Sequence, residues 1–127
     1  MMVFIAYKEK DSYEAKLIKD ALLRCGAEVC DRAVDDITSA NDKRLRSFVN
    51  KNLDSCTDVI AVVSNDTKHH WWVQLLIETA VQRDMPAATF LSGWSELPEY
   101  LNCRPRLKFI SDVESYAAAR MAAECAL

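Results

Sequence analysis

The run Val59-Ile60-Ala61-Val62-Val63 constrains this chain more than any other stretch. It is short, rich in β-branched residues and shows no polar alternation. Those are the marks of a parallel strand buried on both faces. The run closes in Ser64-Asn65-Asp66 and passes through Thr67-Lys68-His69-His70-Trp71 into a second pattern. There Trp72, Leu75, Leu76, Thr79 and Ala80 recur at helical spacing. A buried strand that feeds a helix through a polar link is half of a βαβ unit. In open α/β sheets ligands gather outside the carboxyl ends of strands, so the Ser64 to Trp72 link is a candidate place for chemistry.

The remaining chain repeats this alternation. Met1 to Tyr7 reads as a first strand, and Lys8-Glu9-Lys10-Asp11 as a polar turn. Asp11 or Ser12 is placed to cap a helix running to about Cys25, with Tyr13, Leu17, Ile18, Ala21 and Leu22 as its apolar stripe. Gly26 stands where a helix stop needs a left-handed residue. A short strand, Ala27 to Cys30, precedes an acidic loop from Asp31 to Asn41. Lys43 to Leu53 is amphipathic: Leu45, Phe48, Val49 and Leu53 share one face, and Lys43, Arg44, Arg46 and Lys51 the other. After the central strand and helix, Asp84-Met85-Pro86 marks a stop, because Pro cannot continue a helix. Ala87 to Leu91 is a fourth strand, and Leu107 to Ile110 a short fifth. Ser111 or Asp112 then caps an Ala-rich last helix. Such alternation predicts a parallel sheet with helices on both faces and right-handed crossovers. For five strands the expected fold class is α/β, flavodoxin-like, with strand order 2-1-3-4-5.

At 127 residues, 1–127 reads as a single domain, large enough for a true core. The formal net charge of −3, with no basic stripe, argues against a nucleic-acid surface. No run approaches about 18 apolar residues and no leader pattern opens the chain, so the expectation is a cytoplasmic protein without a membrane segment. Cys25, Cys30, Cys56, Cys103 and Cys125 are odd in number and lack paired spacing, which predicts reduced thiols and no metal.

The motif content excludes several chemistries. With only Gly26 and Gly93 there is no phosphate-cradling glycine loop, neither P-loop nor dinucleotide fingerprint, and no nucleophile elbow. His69 and His70 are adjacent, about 100° apart on a helix, and do not form the i, i+4 pair that chelates zinc.

Three stretches carry a resemblance. They are Phe4-Ile5-Ala6-Tyr7 followed by Asp11, Gly26-Ala27-Glu28-Val29 followed by Asp31 and Asp35, and Asp58 to Ser64 followed by Trp72-Val73 and Ala80. In this order and spacing, over roughly residues 3 to 110, the chain resembles a TIR domain. The bacterial TIR-like branch that includes Thoeris-type antiphage signalling proteins is the nearest likeness. The resemblance implies NAD as substrate or ligand: enzymatic TIR domains cleave its nicotinamide–ribose bond and some make an ADP-ribose-type messenger. It also implies self-association or signalling-protein partners. Their chemistry needs a carboxylate near an oxocarbenium-like ribose, supplied by a Glu four residues after the Trp.

That position here is Leu76, which cannot supply charge. Glu78 is the nearest substitute, on a polar side with Trp71 and Gln74, and is the candidate catalytic residue. Tyr7, Lys8, Asp31, Asp35, Ser64 and Trp72 are the candidate nucleotide-binding residues, with Tyr7 placed to stack on a base. Two functions from different classes follow. One is NAD processing to a nucleotide signal in antiphage immunity. The other is a non-catalytic module that binds nucleotide or protein, or associates with itself. A nucleoside deoxyribosyltransferase relative is a third.

Overall fold

A computed structural model describes residues 1–34, 42–64, 71–91 and 105–125. Within them five strands form one sheet: β1 (Met2–Tyr7), β2 (Glu28–Ala33), β3 (Asp58–Val63), β4 (Ala87–Leu91) and β5 (Arg106–Leu107). The spatial order is β2-β1-β3-β4-β5 and every pairing is parallel, as the alternation of apolar runs predicts. Among the described residues four α-helices cover it: α1 (Ser12–Arg24), α2 (Asp42–Leu53), α3 (Trp71–Gln82) and α4 (Ile110–Cys125). None of them is long and apolar enough to cross a membrane.

β3 sits in the middle with all six residues buried, which is why its sequence does not alternate. Successive side chains of a strand point to opposite faces, and this splits the core into two halves. Phe4, Ala6, Val59, Ala61 and Val63 pack with α2 and α3, around Trp72 and Leu76. Val3, Ile5, Ile60 and Val62 pack instead with Ile18 and Leu22 of α1 and Val113 and Ala117 of α4.

The helix ends follow local chemistry. Past α1, Gly26 takes φ +92°, its N–H donates to the Leu23 carbonyl at 3.1 Å and the Ala27 N–H to that of Leu22 at 3.0 Å. This is a Schellman stop, sealed by burial of Leu22 and Ala27 in one cluster. The end of α3 is the same motif, not a Pro-imposed stop. The Asp84 N–H donates to the Val81 carbonyl and the Met85 N–H to that of Ala80, with Asp84 at φ +54°. Pro86 comes only afterwards. Arg83, beside it, ties α3 to α2 through Asp54 at 2.9 Å and through the carbonyl and side chain of Asn50.

Several sequence expectations need correction. β2 extends to Ala33, so Asp31 is a strand residue opposite Ile5 and not the start of the loop; pairing with β1 outweighs the polar composition of the segment. A 3-10 turn, Glu9–Asp11, leads into α1 in place of a side-chain cap from Asp11. The buried line of α1 is Ala15, Ile18, Ala21 and Leu22; Tyr13 is 71% exposed and Leu17 lies outside the core, because contact with β1, β2 and α4 sets the helix rotation. β5 stops at Leu107 and α4 begins by Ile110. Asp112, within the first turn, reaches back so that its Oδ2 accepts the Lys108 and Phe109 N–H groups at 3.0 and 2.9 Å. These bonds hold its carboxyl below the usual carboxylate range.

Candidate functional site

The carboxyl ends of β1 and β2, together with α1, enclose a polar crevice. Tyr7 is the last residue of β1, and its carbonyl accepts the Val34 N–H at 2.9 Å as the chain leaves β2. Asp31 lies two rungs earlier in the ladder, since Ile5 pairs with Asp31 and Tyr7 with Ala33. From α1, Ser12, Lys16, Lys19 and Asp20 line the same space, spaced by three and four residues as one helix face requires. The crevice has a volume of about 270 Å³ and opens to solvent. Lys19 Nζ lies 3.2 Å from Asp31 Oδ1, an ion pair across the crevice wall. Partial burial, then the negative charges of Asp31 and Glu9, push the Tyr7 phenol above its ordinary value. Tyr7 therefore stays a neutral phenol, able to donate or accept one hydrogen bond.

The described sequence-based candidates do not share one site. Tyr7 and Asp31 are brought together in the crevice. Lys8 follows Tyr7 in extended conformation, half-buried, its carbonyl accepting the Asp11 N–H at 2.8 Å. Ser64 is half-buried just past β3. Trp72 lies on the other side of the sheet, 2% exposed in the α2–α3 half of the core, with Leu76 at 1%. Glu78 is exposed on the outer side of α3, where Gln74 Nε2 donates to its Oε1 at 3.0 Å; it does not line the crevice. Asp35, His69 and His70 lie outside the described residues.

The structure also shows features that the sequence reading passed over. The α1 members of the crevice are one; their 12-16-19 spacing was a visible signal. The other is at the opposite end of the sheet, where Asp58 opens β3 fully buried. Its Oδ2 accepts Arg120 Nε at 2.6 Å and the Tyr116 hydroxyl at 3.0 Å, and Thr57 Oγ1 donates to its Oδ1 at 2.7 Å. Burial and the neighbouring Asp58 charge push the Tyr116 phenol far up. The signal was a lone Asp at the head of an otherwise apolar strand. Its partner, 62 residues away, could not be named from spacing. On the α2–α3 side the polar account is less complete: Trp72 Nε1 and Thr89 Oγ1 are buried with no hydrogen-bond partner among the described residues. Cys25, Cys30 and Cys56 are free thiols; burial pushes that of Cys56 up, so it is a packing residue more than a nucleophile.

A parallel five-stranded sheet of order 2-1-3-4-5, helices on both faces and a polar crevice at the strand carboxyl ends define a flavodoxin-like α/β domain. Residues 3–112 match the family model of the TIR domain, and the chain belongs to that family. No curated protein matches the chain.

Proposed function

We propose that this TIR domain works by binding, a nucleotide of the NAD or ADP-ribose type or a protein partner including a second copy, and not by cleaving NAD through α3. One observation carries the reading. The helix position where TIR enzymes hold their carboxylate is Leu76, which is sealed in the core, and Glu78 points outward into a hydrogen bond with Gln74. A charge must sit within a few ångströms of the forming oxocarbenium to stabilise it, and Glu78 belongs to a different surface from the crevice that holds Tyr7 and Asp31.

The enzymatic alternative is NAD processing to a nucleotide signal in antiphage immunity. Asp31 favours it, as a carboxylate already inside a crevice beside an aromatic residue. The two readings part on a single assay. Purified protein is incubated with NAD and the products are resolved by chromatography, for the native chain, Glu78→Gln and Asp31→Asn. The binding reading expects no cleavage by any of the three. Cleavage by the native chain that disappears in Asp31→Asn would replace it with the enzymatic one, and cleavage lost in Glu78→Gln would show that α3 does act on the substrate.

A further inference from the structure

Within the crevice the charged groups are not equivalent. Lys19 and Asp31 engage each other at 3.2 Å. Among the described residues, Lys16 and Asp20, from successive turns of the same helix face, make no ion pair or side-chain hydrogen bond, and the hydroxyls of Tyr7 and Ser12 are likewise unengaged. The crevice thus offers one uncommitted cation, one uncommitted carboxylate and two hydroxyls around a space of about 270 Å³. The larger hollow, about 510 Å³ at the other end of the sheet, differs. Its Arg83 is held by Asp54 and Asn50 and its Arg120 by Asp58.

Functional-group matching narrows what the crevice can take. Lys16 and the Ser12 hydroxyl, on the first turns of α1, suit an anion, and the positive end of the helix dipole acts in the same direction. Asp20 and the free side of Asp31 accept hydrogen bonds only, so they suit a ligand rich in hydroxyl donors. A ligand with a phosphate at one end and vicinal hydroxyls at the other satisfies all four groups. An α-amino acid would use Lys16 and Asp20 but would leave the free oxygen of Asp31 without a hydroxyl donor. Size sets the second limit. Pockets that take drug-sized ligands run from roughly 300 to 1,000 Å³, so a crevice of about 270 Å³ suits a single phosphorylated sugar, with the rest of a dinucleotide outside it.

We propose that the α1–β2 crevice is a binding site for one phosphorylated pentose unit, with its phosphate on Lys16 and Ser12 and its hydroxyls on Asp20 and Asp31. The proposal rests on the nucleotide-binding reading above and deepens it: an ADP-ribose-type ligand inserts its terminal ribose phosphate and leaves its other half outside.

The test is amide chemical-shift titration of the native chain, Lys16→Ala and Asp20→Asn with three probes: ribose 5-phosphate, ADP-ribose and L-glutamate. Both substitutions are at partly or fully exposed side chains, so folding should be retained and the native-like spectrum verifies it. Ribose 5-phosphate should shift the amides around Ser12, Lys16 and Asp31. Losing one charge-assisted contact in either variant should weaken it roughly tenfold or more. ADP-ribose binding with shifts elsewhere, and unchanged affinity in both variants, would overturn the crevice assignment while leaving the nucleotide-binding reading intact. Binding of glutamate in place of the sugar phosphate would overturn the ligand class. Failure of both phosphorylated probes to bind would overturn the crevice proposal and the nucleotide reading together.

Discussion

The two faces of the sheet are built from the same strands and are chemically unlike. On the α2–α3 side Phe4, Ala6, Val59, Ala61 and Val63 meet Trp72, Val73 and Leu76 in an apolar layer where, among the described residues, Trp72 Nε1 and Thr89 Oγ1 have no partner. On the α1–α4 side the layer is bounded by polar groups at both ends, with Asp58, Tyr116 and Arg120 at the amino ends and Tyr7, Asp31 and the α1 lysines at the carboxyl ends. The first face can lose a partner only at the cost of a cavity. The second carries an ion pair at each end, Asp58 with Arg120 and Asp31 with Lys19.

The sharpest way to break that contrast is to put a carboxylate back on α3. Leu76→Glu would place an unpaired charge in the apolar layer and should cost at least as much as Leu76→Ala, for which about 2–5 kcal/mol is expected. Urea denaturation measures both, and a folded, stable Leu76→Glu would show that the α2–α3 side is open to solvent.

Next in size is the amino end of the other face. Arg120→Ala would strand the buried Asp58 carboxylate with only hydroxyl partners and should cost about 3 kcal/mol, toward the low end for a broken buried pair because Arg120 itself is 24% exposed. Removing both charges together, with Asp58→Asn and Arg120→Met, should cost less than Arg120→Ala alone, and a double-mutant cycle reads the difference. Asp84→Gly acts in the opposite direction. Relief of the left-handed backbone at the α3 stop should stabilise the fold by about 0.5–1 kcal/mol in the same assay. Glu78→Gln should stay within about 0.5 kcal/mol, since the glutamate is exposed and a neutral amide can still accept from Gln74.

The smallest effect is local. Asp112 has a folded-state pKa below its unfolded value, so its contribution is present above about pH 4 and is lost as pH falls through the folded value. Amide exchange at Lys108 and Phe109 should therefore accelerate in acid relative to neighbours within α4, and Asp112→Asn should remove that dependence.

Much of the architecture was legible in order. β3 had to be central because a run without alternation can only be covered on both faces. α1 had to end at Gly26 because the stop requires φ near +92° there. The parallel order followed from strands that alternate with helices. These are consequences of local pattern, and a strand's burial or a helix's stop is written within a few residues of where it occurs.

What only the tertiary structure decided is which residues share a surface. Tyr7 and Trp72 each end or follow a strand, yet the pleat and the crossovers put them on opposite faces. Tyr13 kept helical spacing with Ile18's neighbours but was turned out to solvent by packing against α4. Asp58 found Arg120 across 62 residues. Periodicity fixes the angle between residues of one element, whereas the relative rotation of two elements is set by the volumes packed between them, and no local spacing encodes that.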